Sequence, residues 1–180
     1  MTPRRLLADP GLTTPLASRV PATSAAVTGP ASTALLHDLV LGWYAANARA
    51  LPWRDESTTP WGVFVSEVIA PQTPVARVEP VRLTWMQRWP TPADLAAESP
   101  GEVVRAWGRL GYPRRALRLR EAAVVIAEQH DGQVPSEEAT LRTLPGVGTY
   151  TAAAVAAFAF GRRTTVVDTN VRRVLVRVVE

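Results

Sequence analysis

The stretch Leu144-Pro145-Gly146-Val147-Gly148-Thr149-Tyr150-Thr151 decides the fold of this 180-residue chain. It joins two helical patterns through a proline and two glycines that are separated by one residue. Glycines at the start of a helix leave backbone N–H groups uncovered, and such groups bind phosphate oxygens. We therefore predict a hairpin that grips a phosphodiester backbone through Gly146, Gly148 and Thr149.

An aspartate follows the hairpin in the segment Val166-Val167-Asp168-Thr169-Asn170. The extended pattern before Asp168 and the helical pattern after it predict that Asp168 caps the last helix. Backbone N–H groups and the helix dipole stabilise a carboxylate at such a position. An anion held in this way suits the stabilisation of a positively charged sugar, although Asp168 taken alone is more simply an ordinary cap.

A second carboxyl, Glu67, lies in the apolar helical pattern of residues 61–70. Desolvation there favours the protonated carboxyl, as a general acid requires. Cleavage of an N-glycosidic bond needs an acid for the leaving base and a stabiliser for the sugar cation. Different surroundings can separate these roles between Glu67 and Asp168. Taken alone, Glu67 is more simply a solvated helix position.

The composition excludes several classes of protein. The chain is 47% hydrophobic, which is enough for a core, yet it has no long apolar run, so we expect no contact with a membrane. It has no cysteine, which excludes disulfides, thiol nucleophiles and thiolate-bound metals within this sequence. No metal site is predicted. A cytoplasmic monomer is compatible with these features.

Arginine supplies all 20 basic residues, and the net charge is +4. Six arginines and no acid lie between Arg105 and Arg120, and five more between Arg162 and Arg177 surround Asp168. Such clusters favour a polyanion, although solvated helix faces explain each of them equally well. Without lysine the chain has no side-chain amine for a Schiff base.

The periodicity is almost entirely helical, which predicts an all-α fold. Residues 1–34 are rich in Pro, Ala, Ser and Thr and are expected to form a disordered tail, and residues 35–180 form the folded region. We expect an irregularity near Pro80. Helix starts are predicted at Thr73-Pro74, Thr91-Pro92, Ser99-Pro100 and Ser136-Glu137.

Together, these features resemble the helix-hairpin-helix superfamily of DNA base-excision glycosylases, and within it the adenine DNA glycosylases that act on adenine opposite 8-oxoguanine or guanine. The likeness covers roughly residues 35–180. It rests on Leu51-Pro52-Trp53-Arg54, Val65-Ser66-Glu67-Val68, Gln72-Thr73, Trp107, Leu110-Gly111-Tyr112, the hairpin, and Val167-Asp168-Thr169-Asn170-Val171.

The resemblance implies a helical barrel with a second helical domain, and a monofunctional enzyme that binds mismatched double-stranded DNA. Glu67 would protonate the flipped adenine at N7 and handle the attacking water. Asp168 would stabilise the sugar cation, either by charge alone or through a transient covalent adduct, with Asn170 and Tyr150 supporting it.

Extruding a base requires side chains that occupy the gap in the stack. Similarity assigns this wedging to Gln72 and Tyr112, places Arg54 at the adenine pocket and puts Arg114 on the DNA surface. For Tyr112 and Trp107, ordinary core packing is equally compatible. Trp53 and Trp61 are expected in the core.

Position 150 separates the subfamilies. Relatives that also cut the strand, resembling endonuclease III, carry a lysine where this chain has Tyr150. A thymine glycosylase specific for G·T mismatches tolerates tyrosine there, but it is not expected to have the glutamate of Ser66-Glu67-Val68. Adenine excision therefore ranks first and thymine excision second.

Two departures from the family pattern lead to further expectations. Pro71 cannot donate a hydrogen bond to the carbonyl of Glu67, at a cost of about 3 kcal/mol inside a helix, and it would displace Glu67 and Gln72. Ala70 removes an apolar contact expected near the flipped base.

The family's four-cysteine 4Fe-4S cluster and its 8-oxoguanine-recognition module are expected only in a longer protein. We therefore expect a truncated or degenerate product with an incomplete second domain, impaired folding and low or absent turnover. Its last helix would expose apolar side chains, namely Val171, Val174, Leu175, Val178 and Val179. A catalytically impaired DNA-binding module is the rival from another class, and a helical protein-interaction domain is a third alternative that leaves the hairpin and Asp168 unexplained.

Overall fold

A computed structural model describes the backbone of residues 30–179 and the side chains of residues 33–177. In this part of the chain the regular structure is entirely helical, which confirms the all-α prediction. A short 3₁₀ turn spans Pro52–Arg54. The α-helices are α1 (Pro30–Asn47), α2 (Pro60–Ile69), α3 (Val75–Arg88), α4 (Pro92–Ala97), α5 (Pro100–Trp107), α6 (Arg114–Gln129), α7 (Glu138–Leu141), α8 (Thr149–Phe160) and α9 (Thr169–Val179).

Helix α2 is the central element of the core. It packs against α3, α6 and α8, while α4 and α5 pack against α6. The facing part of α8 consists of small buried residues, Ala152–Ala156 except for Val155, so its backbone can approach α2 closely. This close approach brings the start of α8, with the hairpin before it, alongside Glu67 on α2.

Tryptophans fill the core on the other side of α2. The rings of Trp85 and Trp89 meet edge to face at 4.9 Å, and Trp107 approaches Trp85 at 5.5 Å. Trp107 is buried and donates its indole N–H to the carbonyl of Gly111 at 2.7 Å. Trp107 is therefore a core residue that also fixes the following turn. Trp53 and Trp61 are buried as predicted.

The predicted helix starts are confirmed in two cases and wrong in two. Thr91 forms a capping box with Asp94, and Ser99 accepts a hydrogen bond from the N–H of Glu102. By contrast, the hydroxyl of Thr73 donates to the carbonyl of Pro71, and α3 begins two residues later. Ser136 accepts from Arg162 instead of capping α7. In the first failure a local bond to the carbonyl two residues earlier replaces the capping bond, and in the second a bond from a distant arginine replaces it.

Pro80 lies inside α3, and the helix continues through it from Val75 to Arg88, so the proline does not end the helix. A proline removes one helical hydrogen bond, here the one to the carbonyl of Ala76. Both residues are exposed, so water can bind that carbonyl. The hydroxyl of Thr84 donates to the carbonyl of Pro80 at 3.0 Å.

The first and last helices expose apolar side chains. Helix α1 begins at Pro30, within the tail predicted for residues 1–34, and residues 1–29 lie outside the described part. Val171, Val174 and Leu175 of α9 are exposed as predicted, whereas the side chains of Val178 and Val179 lie outside the described part. Large exposed side chains on α1 are Leu35, Leu39, Val40, Leu41, Trp43 and Tyr44. None of the described helices combines the length and apolarity needed to cross a bilayer.

Candidate active site

Glu67 is a buried carboxyl in the second half of α2, with 9% of its surface exposed. Burial raises its pKa above the ordinary value, and this effect exceeds two opposing ones. The opposing effects are hydrogen bonding with the Tyr150 side chain and the positive charge of Arg54. The surroundings of Glu67 therefore favour the protonated form, as the apolar pattern predicts.

Tyr150 lies between the two predicted carboxyls. Burial raises the pKa of its hydroxyl to about 12, and the negative charges of Glu67 and Asp168 act in the same direction. Hydrogen bonding with Glu67 adds to this shift, while Arg54 opposes it. The structure thus brings Glu67, Tyr150 and Asp168 together, and the tyrosine remains a neutral hydroxyl at pH 7.

Asp168 caps the N-terminus of α9. Its Oδ1 accepts a hydrogen bond from the backbone N–H of Val171 at 2.6 Å. Its Oδ2 accepts one from the side-chain amide of Asn170 at 3.2 Å. The predicted capping is confirmed, and Asn170 orients the second oxygen of the same carboxylate.

The two hairpin glycines serve different structural purposes. Gly146 has a φ of +77°, and a Cβ there would lie 2.7 Å from the Cβ of Arg118, so the turn requires glycine. Gly148 has an ordinary φ of −90° and open space where a Cβ would stand. Among the described residues, the backbone N–H groups of Gly148 and Thr149 have no acceptor. Glycine at position 148 thus keeps a path open to donors at the start of α8.

The two predicted wedge residues stand on left-handed backbone. Gln72 has a φ of +61° and Tyr112 a φ of +49°, and both side chains are exposed, Tyr112 by 67%. In the described part of the chain the remaining non-glycine residue of this kind is Asp131, which lies two residues after the end of α6. Strained backbone at an exposed side chain is typical of functional positions. Tyr112 is not a core residue.

Arg115 is a residue of this site that sequence reasoning missed. From α6 its guanidinium donates to the carbonyls of Val68 and of Pro71, the latter at 3.0 Å, and it stacks over the ring of Trp107 at 5.6 Å. Helix α2 ends at Ile69 as Pro71 requires, but Glu67 keeps its contact with Tyr150. Arg115 thus holds the end of α2 through the carbonyls of Val68 and Pro71, although neither is the Glu67 carbonyl that lacks the N–H of Pro71. The expected displacement of Glu67 and Gln72 stays a prediction.

The basic cluster between Arg105 and Arg120 is largely used inside the protein. Arg105 pairs with Glu102 and Arg118 with Glu121, while Arg120, like Arg115, donates to backbone carbonyls. Arg109 and Arg114 are exposed, and neither has a partner among the described residues. Four of the six arginines are thus paired within the protein, and the predicted binding of a polyanion now depends on Arg109 and Arg114.

A small cavity of about 170 Å³ connects Glu67 with the hairpin. Its walls come from α2, α6 and the hairpin, and they include Glu67, Arg114, Arg118, Gly146 and Thr151. Arg54 lies elsewhere, exposed on the 3₁₀ turn, with its guanidinium 5.7 Å from the ring centre of Tyr44. Its charge still reaches both Glu67 and Tyr150.

The residues present do not fit the iron–sulfur cluster that the family resemblance implies. The sequence contains no cysteine to supply thiolates. Among the described residues, no three His, Asp or Glu side chains are grouped closely enough to hold a metal ion.

Comparison with known proteins agrees with this geometry. Residues 65–179 match the family model described as "HhH-GPD superfamily base excision DNA repair protein". The adenine DNA glycosylase of Mycolicibacterium smegmatis is 56% identical over 140 residues, covering 78% of this chain and 48% of that protein. The human adenine DNA glycosylase is 47% identical over 147 residues, covering 77% and 27%.

Two solved structures resemble the fold. A thermostable thymine-DNA glycosylase superposes with a TM-score of 0.74 at 27% identity, covering 79% of this chain and 65% of that one. A non-covalent endonuclease III–DNA complex gives 0.68 at 26% identity, with the same coverages. The chain spans about half the length of the mycobacterial relatives that it matches. It belongs to the helix-hairpin-helix (HhH-GPD) superfamily of base-excision DNA repair proteins.

Proposed function

We propose that residues 35–180 form the catalytic region of a monofunctional adenine DNA glycosylase, which hydrolyses the N-glycosidic bond of adenine paired with 8-oxoguanine or guanine. The observation that carries this proposal is the position of Tyr150 between two carboxyls in opposite environments, one buried and one at a helix cap. The adenine DNA glycosylases to which the chain is similar support the choice of base.

Glu67 acts as the general acid in this proposal. Burial raises its pKa and so favours the protonated form, and transfer of that proton to N7 makes adenine a better leaving group. Once deprotonated, the same carboxylate accepts a proton from the water that attacks the sugar. The hydroxyl of Tyr150 holds that carboxylate in place through both steps.

Asp168 stabilises the sugar cation that forms as the base leaves. The backbone N–H of Val171 and the side-chain amide of Asn170 donate to its two oxygens and so fix their direction before the reaction. A preorganised anion of this kind lowers the barrier because it needs no rearrangement as charge develops.

The remaining predicted residues hold the DNA. The N–H donors of Gly148 and Thr149, behind the turn at Gly146, bind a phosphate, and Arg114 adds a charge beside them. Gln72 and Tyr112 enter the base stack from two neighbouring turns. Arg54 does not line the cavity at Glu67, and its proposed part is to act by its positive charge on Glu67 and Tyr150 where the adenine is received.

The test is an assay on duplexes that contain adenine opposite 8-oxoguanine. We expect release of adenine under single-turnover conditions, with strand cleavage only after alkali, because the chain has no lysine for a lyase step. Matched duplexes with adenine opposite thymine are the control. Cleavage of the strand without alkali would contradict the proposal.

Thymine excision from G·T mismatches is the second candidate, favoured by the similarity to the thermostable thymine-DNA glycosylase. The same assay with a G·T duplex distinguishes the two enzymes by the base that is released. A catalytically impaired DNA-binding module is the third, favoured by the exposed apolar faces of α1 and α9. Binding of mismatched duplex without release of either base would identify it.

A further inference from the structure

Arg82 of α3 is a buried arginine that the proposed reaction does not use. Only 8% of its surface is exposed, and its guanidinium stacks over the ring of Trp53 at 5.9 Å. Its Nε donates to the hydroxyl of Ser66 at 2.6 Å, and that hydroxyl donates to the carbonyl of Gly62 at 2.6 Å. These contacts fix the guanidinium in one position.

The charge of Arg82 has no acidic partner. In the part of the chain that the structure describes, no carboxylate lies within 4.0 Å of its nitrogens. Burial lowers its pKa, and no acidic charge opposes this effect. An arginine stays protonated at neutral pH, so the protein holds a positive charge that is largely desolvated and uncompensated.

Arg88 on the same helix shows the ordinary arrangement. It also stacks over a tryptophan, Trp89, at 4.7 Å. Its Nη2, however, contacts Glu98 at 2.8 Å and Glu102 at 3.1 Å. Both arginines of α3 thus stack over a tryptophan, but Arg88 pairs with carboxylates and Arg82 does not.

The free donors of Arg82 face an open cleft of about 480 Å³. Its Nη1 and Nη2 have no acceptor among the described residues, yet neither is sealed from solvent. Hydroxyl-bearing residues line the same cleft, namely Ser57, Thr58 and Thr59. A Cβ at Gly62 would lie 3.4 Å from Nη2, so glycine leaves this space free.

The other groups at this cleft are compatible with an anion. Thr59 caps α2, so the positive end of that helix dipole points toward the cleft. Asp55 also lines it, but its carboxylate already accepts the N–H and hydroxyl of Ser57 at 2.9 and 2.5 Å. The planar fork of a guanidinium matches the spacing of oxygens in phosphate.

We propose that this cleft binds a free oxyanion of the phosphate class, held by Nη1 and Nη2 of Arg82 with the hydroxyls of the Ser57–Thr59 turn. A phosphate of the DNA backbone fits this cleft less well than a free phosphate ion does. The cleft lies at the N-terminal end of α2, whereas Gln72 follows its C-terminal end, roughly 15 Å away by the rise of the helix. The site uses no residue of the proposed glycosylase centre.

The experiment follows thermal unfolding and tryptophan fluorescence of the purified chain during titration with inorganic phosphate, against chloride at equal ionic strength. A dissociation constant on the order of 1 mM is expected for a single fork with hydroxyl contacts. At 20 mM phosphate the Tm of the wild type should rise by about 4 °C. Trp53 should report binding, because it lies against the guanidinium.

Arg82→Leu should abolish both responses, and Arg88→Leu should keep them, since its charge is already paired. Equal responses in the wild type and Arg82→Leu would overturn the proposal, as would no response in the wild type. If Arg82→Leu fails to fold, phosphate binding is followed instead by NMR, through the arginine Nε–H resonances of the native chain. The Arg82 signal, assigned with Arg82→Lys, must shift with phosphate while that of Arg88 does not.

A further arm distinguishes the two sources of phosphate. A DNA duplex should not reproduce the effect of free phosphate on Trp53, and Arg82→Leu should bind duplex as tightly as the wild type. Loss of duplex affinity in this variant would assign the cleft to DNA and overturn the free-anion proposal. None of these measurements requires glycosylase activity, so they test the phosphate site even if the chain releases no adenine.

Discussion

The regions around Glu67 and Asp168 hold the same chemical group in opposite ways. Glu67 is surrounded by the core, so burial dominates and raises its pKa. Asp168 lies at the edge of the molecule, where a backbone N–H and an amide bind its oxygens as acceptors. One site favours a proton and the other favours hydrogen bonds to the anion. Tyr150 hydrogen-bonds with Glu67 and experiences the charge of Asp168, so in the proposal the acid and the charge stabiliser can act on one sugar.

The largest expected effect comes from removing the proton donor. Glu67→Gln should lower single-turnover adenine release by about 10³-fold, because general acid–base catalysis contributes a factor of this order. Duplex affinity should remain, since Glu67 is buried and contacts no phosphate in the proposal. Glu128→Gln, at an exposed site on α6, is the control. Unchanged release in Glu67→Gln would remove the distinction between the two carboxyls.

The next effect separates capping from catalysis at Asp168. Asn caps helices about as well as Asp, so Asp168→Asn should keep the protection of the Val171 amide from hydrogen exchange while release falls by about 100-fold. Asp168→Ala should lose both, with a capping cost of about 1 kcal/mol. Full activity in Asp168→Asn would show that Asp168 is a cap and nothing more.

A third prediction tests how the Glu67 region is held. Arg115→Ala should slow release by about 10-fold by loosening the end of α2, since small misplacements of catalytic groups reduce rates strongly. Arg120→Ala is a matched control, because Arg120 donates from the same helix to the carbonyls of Ala96 and Glu98, at the end of α4 and far from the site.

Pro71→Gln restores an N–H at position 71, so it should partly rescue Arg115→Ala and leave Arg120→Ala unchanged. These variants form double-mutant cycles, which are measured as the single-turnover rates of the single and double variants. Equal losses in Arg115→Ala and Arg120→Ala would mean that Arg115 contributes stability alone.

The smallest effect concerns stability and pH. The folded protein binds the proton of Glu67 more tightly than the unfolded chain, whose ordinary value is 4.5. Folding stability therefore falls as pH rises from that value through the raised pKa. Glu67→Gln does not undergo this loss, so it should be more stable than the wild type at pH 7, with no gain in stability below pH 4.5. Denaturant unfolding at both pH values measures it, and a gain independent of pH would contradict burial as the cause.

Much of the site follows from local patterns in the sequence. The cap at Asp168, the turn at Gly146 and the apolar surroundings of Glu67 each depend on a few neighbouring residues, and the structure contains all three. The helix starts at Thr91 and Ser99 are of the same kind. These features are predictable because the interactions that decide them span only a few positions.

Other features depended on residues far apart in the chain. The sequence alone determined an all-helical chain with a hairpin and two carboxyls of different character, because periodicity and capping are local. Only the tertiary structure decided that Tyr150 lies near both of those carboxyls, that Arg115 secures the end of α2 across 47 positions, and that Arg82 is buried without an acid. Arginines look alike in sequence, and their role depends on which carbonyl, carboxylate or open cleft the packing of helices places beside them.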